Sequence, residues 1–187
     1  NLWSRKKWEL FILAATHWAS TYEETDDYQE GIQIVESAIR KIETEASELT
    51  HLTSFLYHKI GFIYIYAFKY DLALPAHQKQ LELLEKHYAK DSNWEFVMAY
   101  NGFARIERKL GELEKSLDYY LKAKEIIEKL NLENFYWTTV TYRGLIRLYS
   151  NHLGNMEEAI KLSKRAFEFA QARFGGNAFE MVPYYLG

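Results

Sequence analysis

The stretch YNGFARIERKLGELEKSLDYYLKA, residues 100–123, places three small residues and one break at fixed points: Ala104, Gly111, Ser116 and Ala123. Apolar residues recur at three-and-four spacing, the period of a helix that buries one face, so Gly111 separates two helices. Small residues belong where the two helices cross, because only a short side chain lets the backbones approach and bury their larger neighbours. The same arrangement returns on either side. Gly31, Ala73, Ser116 and Ala159 recur at intervals of 42, 43 and 43 residues. Seven residues after each stands Ala38, Gln80, Ala123 and Ala166, and twelve or thirteen before each stands Ala19, Gly61, Ala104 and Ile146. Self-similarity at a fixed interval marks a repeat architecture.

Bulky residues complete the frame. Tyr22, Tyr64 and Tyr149 follow the first small column by three, and Tyr28, Tyr70, Leu113 and Met156 precede the second by three, positions from which they wedge between helices. Turns are expected at Asp26-Asp27, Lys69-Tyr70-Asp71, Gly111 and 151–155, with helix capping at Asp26 or Asp27. With two prolines, nine glycines and no sustained strand-like alternation, the chain reads as all-α.

Small, aromatic, turn, aromatic, small, small in this order resembles the tetratricopeptide repeat, whose usual period is about 34 residues. The longer interval, together with Ala73-Leu74-Pro75-Ala76 leading into residues 81–88, is similar to the kinesin-light-chain subtype with its longer second helix. Tyr100-Asn101-Gly102-Phe103-Ala104 resembles that subtype's first-helix core, although Gly102 replaces the second of its paired asparagines and Arg143-Gly144 replaces both in the next unit. The resemblance implies a right-handed superhelical solenoid of antiparallel hairpins forming one domain over 1–187. Its units are 7–48, 49–91, 92–133 and 134–175, with a partial fifth at 176–187 after a helix stop at Gly175-Gly176. Such an end reads as a fragment of a longer protein, since solenoid ends carry a polar capping element.

In that family the first helices line a concave face that holds a peptide or protein ligand. Carried onto this chain, Asn101, Arg105, Arg108, Arg143 and Arg147 belong to that face in units three and four. Guanidinium forks suit acidic ligands because they grip carboxylates bidentately and stack on rings. Units one and two offer Thr16, His17, Ser20, His58, Phe62 and Tyr66, an aromatic and weakly basic floor. The expected ligand is therefore an extended peptide with acidic and aromatic residues. The competing expectation is that these arginines form solvated ion pairs with Glu107, Glu112 and Glu114.

The rest of the reading is mostly exclusion. There is no cysteine, so neither a disulfide framework nor a thiol nucleophile is available. A net charge of −3 gives no global steering towards nucleic acid, and most of the aromatic residues are expected to be consumed by the core, which disfavours RNA. No phosphate loop, His-Glu-x-x-His motif or Gly-x-Ser-x-Gly elbow occurs. The histidines are scattered, His51 and His58 included, and the acidic run 23–27 lacks calcium-loop spacing. Neither metal nor cofactor is expected. Apolar runs such as 60–68 stop far short of the roughly 20 residues a membrane span needs. A non-enzymatic protein-interaction scaffold in the cytoplasm is the reading, its partner a protein, a peptide or another domain of the same parent. The alternative is a sensor or regulatory arm of a larger protease, ATPase or phosphatase.

Overall fold

A computed structural model describes residues 2–22, 25, 27–132 and 136–174. It contains eight α-helices among these residues: α1 (Leu2–Ser20), α2 (Tyr28–Glu45), α3 (Ser54–Tyr66), α4 (Tyr70–His87), α5 (Glu95–Leu110), α6 (Leu113–Lys129), α7 (Tyr136–Asn151) and α8 (Met156–Phe174). A 3-10 segment, Ser47–Thr53, precedes α3. The fold is an all-α repeat of helix hairpins. The chain divides into two compact units, 1–90 and 91–187, each holding two hairpins. The partial fifth unit, Gly175-Gly176, Asp26 and most of the acidic run lie outside the described residues.

Within the first unit α1 packs on α2 and α3 on α4, and α2 docks against α3. Small residues do what their spacing predicts. A Cβ added at Gly31 would sit 3.2 Å from the Ala19 carbonyl, and one at Gly61 would meet the His77 ring at 2.5 Å. Around these contacts Ile12, Val35, Ile39, Ile42, Leu56 and Ile63 are buried, each contributing roughly 1.5–3 kcal/mol of apolar burial. Tyr28 wedges against Tyr64, ring centroids 6.5 Å apart.

The second unit repeats the plan with α5 on α6 and α7 on α8, and α7 also packs on both α5 and α6. Ser116 Oγ donates to the Ala104 carbonyl across the hairpin at 2.8 Å, so the polar member of the small column is satisfied internally. Tyr120, Tyr142, Leu145, Leu148 and Leu162 form the core. Met156 departs from the expected frame: it is exposed instead of wedged. So are Trp18, Phe68, Tyr136 and Phe167, so the core does not absorb every aromatic ring.

One turn motif recurs. At Phe68, Gly111, Asn131 and Gly154 the backbone has positive φ, and the next amide bonds a carbonyl one helical turn or more back: Lys69 to Tyr64 at 2.8 Å, Glu112 to Glu107 at 2.9 Å, Leu132 to Ile127 at 2.9 Å, Asn155 to Tyr149 at 3.0 Å. These are left-handed helix stops that satisfy orphan carbonyls. The second turn is therefore Ala67-Phe68-Lys69, two residues earlier than expected, and Tyr70 and Asp71 already belong to α4. Asp27 stands at the N-cap of α2 but makes no side-chain capping bond. Capping of this kind occurs at α8, where Asn155 Oδ1 accepts from the Glu158 amide at 3.2 Å.

Candidate partner-binding face

In the second unit α5 carries Arg105 and Arg108 and α7 carries Arg143 and Arg147, all half-buried. Their helices pack together, so residues far apart in sequence share one region. Packed within the same unit is Tyr120, a buried side chain of α6. Burial pushes that phenol's pKa up. The positive charges of Arg108 and Arg105, a hydrogen bond from Arg108 and the charge of Arg147 all pull it down. Three of the four expected arginines therefore act on one point; Arg143 shares α7 with Arg147 but is not among the charges acting on Tyr120. The Arg108 Nε is buried without a hydrogen-bond partner.

Asn101 is placed differently from its expected role. It is buried, and its Nδ2 donates to Thr141 Oγ1 at 2.8 Å, tying α5 to α7. That bond makes Asn101 chiefly a packing residue, with only its buried Oδ1 lacking a partner. Of the expected acidic counter-ions, Glu112 lies 3.3 Å from Lys115 and Glu107 is buried.

The first unit brings His58, Phe62 and Tyr66 together as a ladder along α3, one turn apart: ring centroids are 5.3 Å between His58 and Phe62 and 5.6 Å between Phe62 and Tyr66. Burial decreases along it, from buried His58 to exposed Tyr66. His58 also meets the edge of His77, whose Nδ1 is 3.0 Å from Gln80 Oε1. Ser20 Oγ accepts from Lys59 Nζ at 2.8 Å, so Ser20 is held by the next hairpin. His17 is exposed. His51 pairs not with His58 but with His87, rings parallel at 3.8 Å. Burial, then the charges of His87 and Arg5, lower the His51 pKa.

Sequence spacing missed Tyr120 and Gly144. Tyr120 lies on a second helix, outside the first-helix positions taken to line a ligand face. The Arg143-Gly144 pair was visible as a departure from the family pattern, and that was its signal. Gly144 is small because the Tyr120 ring fills the space above it. Among the described residues no group of three or more His, Asp or Glu side chains is placed to hold a metal ion, and no helix is long and apolar enough to cross a membrane.

No curated protein matches the chain. Residues 95–172, from the first residue of α5 into α8, match the family model described as tetratricopeptide repeat, and this match, with hairpins crossing at small residues in regular register, supports the tetratricopeptide repeat superfamily for this chain.

Proposed function

We propose that the second unit binds an acidic segment of a protein partner at Arg105, Arg108, Arg143 and Arg147, and that the chain is a non-catalytic interaction module. Tetratricopeptide repeats generally serve protein interaction, which supports the class of activity. The observation that carries the ligand chemistry is that Arg105, Arg108, Arg143 and Arg147 sit half-buried on two helices that pack together, three of them close enough for their charge to lower the pKa of the buried Tyr120 phenol. Held half-buried, these guanidinium groups have less water to lose and less rotamer freedom to surrender when a carboxylate arrives, so each bond made is worth more than at an open surface. Independently, the His58, Phe62 and Tyr66 ladder of the first unit offers ring faces and edges for an aromatic side chain.

Panning a displayed peptide library on the full chain tests this. Enriched sequences should be rich in Asp and Glu. Fluorescence anisotropy of one such peptide should show Arg105→Glu and Arg147→Glu each weakening binding at least about tenfold, the size expected for loss of a charge-assisted bond. Circular dichroism checks that the variants stay folded. Enrichment without acidic residues, or affinities unmoved by both variants, would refute the assignment.

A further inference from the structure

Short connectors reverse the chain after α5 and again after α6, so α5 and α7 run in the same direction. The bond from Asn101 Nδ2 to Thr141 Oγ1 fixes the register between them. At about 1.5 Å of rise per residue, Arg108 lies about 10 Å beyond Asn101 along α5 and Arg147 about 9 Å beyond Thr141 along α7, so the two stand at one level. Arg105, three residues before Arg108, shares its side of α5. Arg143 stands one turn before Arg147, nearer the level of the Asn101 bond.

Tyr120 groups the arginines in the same way. The hydroxyl end of its ring lies against Gly144, three residues before Arg147. Among the described residues, the charges acting on its phenol are those of Arg108, Arg105 and Arg147, all of them positive. Glu112, one of the acids nearest in sequence, is held 3.3 Å from Lys115. Arg108 hydrogen-bonds Tyr120, and its Nε is buried without an acceptor.

This is more positive charge than one carboxylate balances. A carboxylate brings a single negative charge and two oxygens in one plane, which one guanidinium fork satisfies. The remaining guanidinium groups would stay uncompensated in a half-buried place, where water screens like charges less than it does in the open. A phosphate monoester carries about −1.5 to −2 charge at pH 7 and three acceptor oxygens, enough to engage all three groups.

We propose that Arg105, Arg108 and Arg147 form a site for a phosphorylated side chain of the partner, with Arg143 holding a neighbouring carboxylate. This rests on the acidic-segment reading of the same face and narrows it: phosphorylation of the partner governs its capture.

Degenerate peptide mixtures that differ only at the central residue test this, with phosphoserine, glutamate or serine there and each captured on the immobilised full chain. The phosphoserine mixture should be retained at least about tenfold better than the glutamate mixture, the gain expected from one further charge-assisted bond, and phenyl phosphate should displace it. Arg105→Gln and Arg147→Gln should each bring the phosphoserine mixture down to the level of the glutamate mixture, whereas Arg143→Gln should lower both alike. Should either variant lose helical signal in circular dichroism, Arg105→Lys or Arg147→Lys takes its place; each keeps the charge, loses the fork and should reduce the preference. Equal retention of the phosphoserine and glutamate mixtures would overturn this inference and leave the acidic-segment reading standing. Retention of neither above the serine mixture would overturn both. Binding of phosphoinositide vesicles without binding of phosphoserine peptides would assign the arginines to lipid and overturn the proposal.

Discussion

The ring of Tyr120 on α6 lies over Gly144 on α7 so closely that a Cβ at residue 144 would overlap it. This contact joins the third hairpin to the fourth and fixes where the Tyr120 phenol sits relative to the charges of Arg108, Arg105 and Arg147. Gly144→Ala should therefore destabilise the protein by about 1–3 kcal/mol, the usual penalty for overpacking a filled core. Urea denaturation measures it. Because the ring must shift, the same variant should also weaken binding of an acidic peptide, while a variant with unchanged stability would show that the ring has room to move.

Phe68 has a φ of 58 and is 74% exposed, at the position taken by Gly111 and Gly154 in the later hairpins. A residue with a Cβ loses roughly 1–2 kcal/mol in the left-handed region, while glycine does not. The 6.4 Å edge contact with Tyr70 recovers part of that. Phe68→Gly is expected to stabilise the protein by about 0.5–1 kcal/mol net, against the usual destabilising trend of point changes. The matched change Gly111→Ala, at a φ of 85, should destabilise. Thermal melts of both variants check the pair, and a lowered Tm for Phe68→Gly would mean the exposed ring holds more than its contacts suggest.

Inside the α5–α7 contact Asn101 Nδ2 donates to Thr141 Oγ1 at 2.8 Å. Thr141→Val leaves the Asn101 amide buried without its acceptor and should cost about 1–3 kcal/mol. Adding Asn101→Leu removes the stranded amide, so the double variant should be more stable than the sum of the two single changes predicts. A double-mutant cycle by chemical denaturation reads that coupling. Additive effects would mean that the bond contributes nothing of its own.

Two titrations shape stability in opposite pH ranges. Tyr120 has a folded pKa above its ordinary 10.0, so the folded state keeps a proton the unfolded chain sheds. Its contribution is full below about pH 10 and is lost as pH rises through the folded value. Tyr120→Phe should flatten the alkaline limb. His51 has a folded pKa below 6.5, so the unfolded chain binds the extra proton. Stability should fall with pH from about 6.5 down through the folded value, and His51→Gln should remove that slope. Denaturation midpoints recorded across pH decide both; limbs that persist in the variants would assign them to other groups.

Much of the fold was legible because helix pairing and turn placement depend on local spacing. Gly31, Gly61, Ala104 and Ser116 could be assigned to crossings from intervals alone, and each lies at a close approach. The turn at Phe68 lies two residues before its expected place because nothing in a phenylalanine signals a positive φ; it is held there by the bond from Lys69 to Tyr64. Met156 was assigned to the interior because the same register is covered in α2 and α6, and coverage is a property of the neighbour.

The amino-acid order by itself determined that helices pair in a regular register and which side chains share a face of one helix, since 3.6 residues per turn fixes those relations within a single element. Only the tertiary structure decided that Tyr120 reaches across to Gly144, that the charges of Arg105, Arg108 and Arg147 act on its phenol, and that Asn101 turns inward to Thr141. Contacts between helices depend on their crossing angle and relative offset, which the packing of whole side chains sets and residue spacing does not record.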